Sequence, residues 1–162
     1  MELNDLNEIL SMGEDSRHQF KQNITSQDSL AAEIVAFSNG QGGYIIIGVD
    51  DRGKIIGLTS EDIHRLNQMI ANTSTQSVIP SVNVSIQNLK AGDKNVMIVS
   101  VPAGLNKPYN DNNGLFWVKN GADKRKTTSR YEILRMYQNA NFIHADEMTT
   151  QNTSISECWF KI

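Results

Sequence analysis

The sequence lacks most features of secreted and membrane-spanning proteins. Its single cysteine, Cys158, has no partner for an internal disulfide, which is typical of a reducing compartment. The first ten residues have neither the basic start nor the apolar core of a signal peptide. The longest apolar run, residues 44–49, is far shorter than the roughly 20 residues that cross a bilayer as a helix. We therefore expect a cytoplasmic protein with no membrane partner.

The sequence also lacks the net positive charge that many nucleic-acid-binding proteins have, because its formal net charge is −3. The charges are nevertheless unevenly distributed. Residues 1–30 hold six acidic and two basic residues, whereas residues 101–140 hold seven basic and three acidic residues. This asymmetry predicts one positively charged region in the later part of the chain. A solvated face with scattered lysines is the alternative interpretation.

What the sequence does contain is enough apolar material for a single core, since 39% of its 162 residues are hydrophobic. Hydrophobic periodicity predicts helices at 1–12, 25–39, 59–70 and 129–138, interleaved with strands at 18–21, 44–49, 82–86, 96–101 and 115–118. Thr25 with Asp28, Thr59 with Asp62 and Ser129 with Glu132 have the spacing of helix-start caps. The pattern predicts an α/β (mixed α+β) fold, with one twisted mixed sheet and helices packed on it.

A glycine-rich segment joins the second predicted helix to the strand at 44–49. Gly40, Gly42 and Gly43 allow a sharp reversal, and their backbone amides could hold a phosphate. Nucleotide-binding loops run from strand to helix and end in Lys-Ser/Thr, whereas this loop runs from helix to strand. A tight connection that needs glycine for packing is therefore the preferred interpretation.

Several segments together resemble the Schlafen-type AlbA-like domain over roughly residues 12–138. They are Glu14, Gln19-Phe20-Lys21, residues 33–39, residues 42–53, residues 116–121 and residues 127–135. The helical spacing of the first dozen residues predicts an N-terminal helical extension at 1–12, and the resemblance predicts an AlbA-like domain at 13–145. Residues 146–162 are then a linker or the start of a further C-terminal region.

The resemblance implies a compact unit associated with DNA or RNA binding. In bacteria such units commonly stand at the front of longer proteins described as transcriptional regulators, often ahead of an ATPase-like region. Because two such lobes form the animal Schlafen core, a single lobe here implies a homodimer. A non-catalytic nucleic-acid-binding module is our first hypothesis. A dimerisation scaffold for an ATPase-like C-terminal region is another.

A metal-dependent endoribonuclease is the alternative from a different class. Nucleolytic Schlafen proteins bind Mg²⁺ or Mn²⁺ through three carboxylates, and the resemblance places Glu14, Gln19 and Asp51 at the matching positions. Gln19 offers a neutral carbonyl oxygen where a carboxylate is expected. We therefore expect weakened metal binding by Glu14 and Asp51, and a protein that is not an enzyme.

The basic segment is the predicted nucleic-acid contact surface. It comprises Lys119, Lys124, Arg125, Lys126 and Arg130, around a turn and the start of a capped helix. Tyr109, Phe116 and Trp117 lie nearby in sequence and could stack on exposed bases. No helix carries an obvious set of base-reading side chains, so we expect contacts mainly with the backbone and weak sequence preference.

Overall fold

The computed structural model describes residues 1–140, which contain four α-helices, a short π-helix at Thr73–Ser77 and eight strands. The helices are α1 (Leu3–Met12), α2 (Gln27–Asn39), α3 (Ser60–Asn72) and α4 (Arg130–Asn139). The strands are β1 (His18–Lys21), β2 (Gly43–Ile47), β3 (Val78–Ile79), β4 (Ser85–Ala91), β5 (Lys94–Val101), β6 (Asn110–Asp111), β7 (Phe116–Asn120) and β8 (Asp123–Thr127). The predicted mixed α/β fold is confirmed.

The main sheet has four strands in the order β1-β2-β5-β4. β1 and β2 are parallel, while β5 runs antiparallel to both of its neighbours. The predicted mixed sheet is therefore confirmed. Two small sheets, β3 with β6 and β7 with β8, stand beside it. The sequence pattern did not separate these pairs from the main sheet, because strand signals do not identify strand partners.

β2 lies in the interior of this sheet, which explains its unbroken apolar sequence. Ile45 and Ile47 pack in the cluster that contains α2, whereas Ile46 packs on the opposite face with Leu6 and Leu10 of α1. All three isoleucines are fully buried. Because neither face meets water, the alternation of polar and apolar residues disappears, as the sequence predicted.

The glycine loop between α2 and β2 is fixed by close packing. A Cβ on Gly42, whose φ is +73°, would lie 2.6 Å from the carbonyl oxygen of Val101. A Cβ on Gly43 would lie 2.4 Å from the carbonyl oxygen of Arg17. The amide N–H groups of Gly40 and Gly42 donate to the carbonyl of Phe37. The loop therefore has the geometry of a tight connection, and the chain itself uses two of its amides.

Three sequence-predicted details differ from the structure. The predicted cap of Thr25 with Asp28 is wrong, because Ser26 caps α2 by accepting from the Ser29 amide N–H at 3.2 Å. The predicted strand beginning at Val82 starts at Ser85, since the Val82 amide N–H bonds the Ser74 carbonyl outside any sheet. Residues 124–126, for which no strand was predicted, lie in β8.

The predicted linker at 146–162, with Cys158, lies outside the described residues. Within residues 1–140, every helix is too short or too polar to cross a membrane.

The start of α3 supplies a pH-dependent contribution to stability. The Asp62 carboxylate accepts hydrogen bonds from the Asn23 amide at 3.1 Å and the Thr59 hydroxyl at 2.9 Å. These bonds lower the pKa of Asp62 from 3.8 to about 2. Because the pKa is lower in the folded protein, this stabilisation is present above about pH 4 and is lost as the pH falls through about 2.

We expect Asp62→Asn to lower the urea midpoint at pH 6, with a deficit that shrinks as the pH falls from about 4 to about 2. Urea unfolding followed by circular dichroism at each pH measures this difference. Asp93→Asn is the control, because Asp93 lies exposed in the β4–β5 turn and its side chain forms no hydrogen bond or ion pair within residues 1–140. A deficit for Asp62→Asn that is constant over this pH range would contradict the assignment.

Candidate nucleic-acid interface

The basic segment forms the hairpin β7–β8, which packs across α2. Lys119 stands opposite Lys124 in this hairpin, and Trp117 opposite Lys126. Because side chains alternate along a strand, these pairs share one face and Arg125 lies on the other. The predicted contact residues are therefore divided between two faces of the hairpin and the first turn of α4.

Lys119 is turned inward and its side chain is only 7% exposed. Its ammonium donates to Gln19 Oε1 at 3.0 Å, Glu33 Oε1 at 3.2 Å and the Ala122 carbonyl at 2.7 Å. It also lies 4.6 Å from the centre of the Phe37 ring. All three ammonium protons thus have oxygen partners, which is the condition under which a lysine charge can be buried.

Glu33 is the counterion at the centre of this arrangement. It projects from the middle of α2 and its side chain is 3% exposed. Its second oxygen, Oε2, lies 2.7 Å from Nζ of Lys124. We call Gln19, Glu33, Lys119 and Lys124 the Glu33 cluster. The two ammonium groups compensate the charge of the buried carboxylate. Lys119 and Lys124, which were predicted to contact nucleic acid, therefore bind a buried group of the protein itself.

Glu14 joins this cluster through Gln19. Its Oε1 accepts from Gln19 Nε2 at 2.6 Å and from the Phe20 backbone N–H at 2.7 Å. The Gln19 amide therefore donates to a carboxylate and accepts from an ammonium group. A glutamate at position 19 would retain the acceptor toward Lys119 but would set two carboxylates against each other.

Asp51, the third residue of the predicted metal site, lies exposed in the turn that follows β2. Glu14 and Gln19 meet each other, and no hydrogen bond joins either of them to Asp51 among residues 1–140. The described residues hold no group of three or more His, Cys, Asp or Glu side chains that could bind a metal ion. The arrangement therefore does not fit a site of three carboxylates for Mg²⁺ or Mn²⁺.

Arg125 fastens the hairpin to α4. Its two terminal nitrogens donate to the Glu132 carboxylate at 3.1 and 2.6 Å, and the Thr127 hydroxyl donates to the same group. The hydrogen bonds from Arg125 and, to a smaller extent, from Thr127 hold the pKa of the Glu132 carboxyl below its usual value. Ser129 caps α4 by accepting from the Glu132 amide N–H, as predicted.

Lys126 and Arg130 are exposed, as is Arg125, but unlike Arg125 neither of them pairs with Glu132. Lys126 Nζ lies 6.0 Å from the centre of the Trp117 ring, and the Arg130 guanidinium lies 5.3 Å from that of Tyr131. Neither forms an ion pair within the described part of the chain. Both cations therefore face solvent next to an aromatic ring, at the junction of β8 and α4.

The aromatic residues only partly match the prediction. Tyr109 is buried and its hydroxyl accepts from the Asn106 amide N–H, so the prediction that it could stack on a base is wrong. Trp117 is half-buried and its ring N–H donates to Asp111. Tyr131, which the sequence reasoning did not consider, is 66% exposed. The sequence did contain a signal for its exposure, because Tyr131 lies in the first turn of a helix capped by Ser129.

Glu33 was also missed, although the sequence contains a signal for it. It stands alone as a charged residue between Leu30 and Phe37, in a helix whose neighbouring residues are all apolar. A charge in a fully buried helix requires a partner of opposite sign.

Asn39 holds the base of the hairpin on the end of α2. Its Nδ2 donates to the carbonyls of Tyr109 at 2.9 Å and Trp117 at 2.8 Å, and its Oδ1 accepts from the Tyr109 amide N–H at 2.6 Å. One side chain therefore satisfies backbone groups of two segments.

The family described as "Schlafen, AlbA_2" matches residues 14–128. The chain belongs to this family. The matched region contains Glu14, the whole Glu33 cluster and the hairpin β7–β8, so these features lie within the Schlafen AlbA_2 domain.

Two solved structures have the same fold. The DIP2311 protein of Corynebacterium diphtheriae matches with a TM-score of 0.56 and 22% identity, over 84% of this chain and 28% of DIP2311. The N-terminal domain of a putative ATP-dependent DNA helicase RecG-related protein of Nitrosomonas europaea matches with a TM-score of 0.53 and 22% identity. That match covers 80% of this chain and 93% of the domain. No curated protein matches.

We expect Lys119→Met to lower the free energy of unfolding by about 2–4 kcal/mol, because it leaves Glu33 with one cation and removes the partner of Gln19 Oε1. Urea unfolding at pH 7 measures the loss. Lys126→Met changes the same charge at an exposed position and should cost less than about 0.5 kcal/mol. Equal losses in the two variants would show that the buried ion pairs of Lys119 stabilise the fold no more than an exposed lysine does.

We expect Gln19→Glu to make stability depend on pH. The new carboxyl faces Glu14, so sharing a proton raises the apparent pKa of the pair above the value in the unfolded chain. The variant should therefore approach wild-type stability near pH 5 and lose stability as the pH rises toward 8. Urea midpoints across this range, with Gln22→Glu as an exposed control, measure the trend. A flat difference between Gln19→Glu and wild type would contradict it.

Proposed function

We propose that this chain is a nucleic-acid-binding domain that contacts the phosphate backbone of DNA or RNA through the junction of β8 and α4. The exposed pair Lys126 and Arg130 carries this proposal, since both cations lack ion-pair partners among the described residues. Such cations release counterions when they meet phosphates, which drives association. The start of α4 adds backbone N–H groups that favour an anion at the same place.

The remaining members of the predicted surface shape this junction. Lys119 and Lys124 tie the hairpin to α2 through Glu33, and Arg125 ties it to α4 through Glu132. The two free cations therefore stand on a backbone that is fixed from both sides. A fixed position reduces the entropy lost on binding.

Membership of the Schlafen AlbA_2 family supports the proposal, and so does the structural neighbour described as related to a DNA helicase. Tyr131, exposed beside Arg130, supplies a ring on which an unpaired base can stack. A regulatory role, without catalysis, agrees with a surface that offers charge and stacking. The resemblance also supports a homodimer, in which two such junctions would act on one nucleic acid.

We expect the double variant Lys126→Ala/Arg130→Ala to bind labelled single-stranded and duplex oligonucleotides about tenfold or more weakly at low salt. The slope of log affinity against log salt should fall by roughly 1.4–1.8, the value for two lost phosphate contacts. Fluorescence anisotropy titrations at several salt concentrations measure both quantities.

The matched control is Lys54→Ala/Lys90→Ala, which removes two exposed lysines from the turn after β2 and from β4. It should keep both the affinity and the slope near those of the wild type. An equal loss in both double variants would mean that net charge, and not the β8–α4 junction, determines binding.

A further inference from the structure

A cavity of about 230 Å³ lies between the end of β1 and the first half of α2. Ile24, Leu30 and Ile45 provide its apolar lining, and all three side chains belong to the main core cluster. Hydroxyl and amide side chains of the segment between β1 and α2 supply a polar part of the lining. Small-molecule sites combine an apolar concavity with a few polar groups in this way.

Two charged groups give this cavity its chemical character. Lys21, half-buried at the end of β1, has no ion-pair partner in the part of the chain that the structure describes. Glu33 also lines the cavity; its Oε1 accepts a hydrogen bond from Lys119 and its Oε2 forms an ion pair with Lys124. Since an ionised carboxylate has about four acceptor positions, Glu33 can accept further N–H groups. The cavity thus offers a cationic donor and an anionic acceptor beside an apolar lining.

We propose that this cavity holds one unstacked nucleobase that carries an amino group, with cytosine as the smallest such base. This inference rests on the proposed nucleic-acid binding and names the part of the ligand that enters the fold. The faces of a base suit the isoleucine and leucine lining. Its amino group donates to Glu33, as glutamate accepts from cytosine N4 in other recognition sites, and its ring acceptors face Lys21.

The position of Glu33 connects this cavity with the phosphate contacts. Glu33 binds Lys124, and Lys126 lies two residues further along the same face of β8. Two residues of a strand span about 7 Å. A nucleic-acid strand whose phosphate backbone contacts Lys126 therefore needs to extend only a short way beyond Lys124 for one of its bases to turn into the cavity.

Thymine and uracil are the informative comparison because they have the same ring size as cytosine. They carry a carbonyl where cytosine carries its amino group, so a carbonyl oxygen would face the Glu33 carboxylate. We expect 12-nucleotide oligomers of deoxycytidine to bind the full chain about tenfold more tightly than oligomers of deoxythymidine. Oligomers of abasic deoxyribose should bind no better than deoxythymidine. Cytidine and uridine oligomers repeat the comparison in RNA.

The variant Ser29→Phe tests the cavity directly. Ser29 lines the cavity from an exposed position on α2, so a phenyl ring there occupies the space without disturbing the core. We expect it to lower deoxycytidine affinity to the deoxythymidine level while the salt slope stays unchanged. His64→Phe places the same ring on an exposed position of α3 and should change neither quantity.

Anisotropy at fixed salt separates the outcomes. Equal affinity for the three oligomers, or no effect of Ser29→Phe, overturns the cavity inference while the nucleic-acid proposal stands. If no oligomer binds, the nucleic-acid proposal falls, and titration with cytidine monophosphate decides the cavity. Shifts in the methyl NMR signals of Ile24, Leu30 and Ile45 with cytidine but not thymidine monophosphate would support the inference. Unshifted methyl signals would overturn it.

Discussion

The burial of the Glu33 carboxylate is the constraint on which the arrangement of this domain depends. A carboxylate in the middle of a core helix is tolerated only when cations compensate it, and here both cations come from the hairpin β7–β8. Lys119 extends the requirement to β1 through Gln19. One buried charge thus specifies how α2 packs against β1 and against the hairpin β7–β8, which lies about 90 residues later in the chain.

This constraint also changes what the charge distribution means. Residues 101–140 are basic in sequence, yet Lys119, Lys124 and Arg125 each bind a carboxylate of the protein. The positive region that faces solvent is therefore smaller than the charge count indicates, and among the described residues its exposed cations without an ion pair are Lys126, Arg130 and Arg135. The ammonium group of Lys119 lies among oxygen atoms in the manner of a bound cation, held by Gln19, Glu33 and a backbone carbonyl.

The sequence predicted features that depend on near neighbours and missed those that depend on distant partners. The buried strand β2 and the Ser129 cap follow from residues within a few positions, and both were predicted. The pairing of Lys119 with Glu33 spans 86 residues, so no local pattern separates this lysine from Lys126. The helix start at Ser26 was missed because Thr25 has Asp28 three residues later, the spacing of a capping box, whereas Ser26 is followed by Ser29.

The hydrogen bonds of Asn39 to Tyr109 and Trp117 also affect the rate at which this asparagine deamidates. An asparagine followed by glycine converts slowly to aspartate when the glycine nitrogen attacks the side-chain amide. At Asn39 this attack is hindered, because the amide is hydrogen-bonded to Tyr109 and Trp117 and the Gly40 nitrogen donates to two helix carbonyls. The Asn113–Gly114 and Asn120–Gly121 pairs are both exposed, the second of them at the tip of the hairpin. Stored protein should therefore gain negative charge at that tip, beside its basic residues, while the connection between α2 and β2 remains intact.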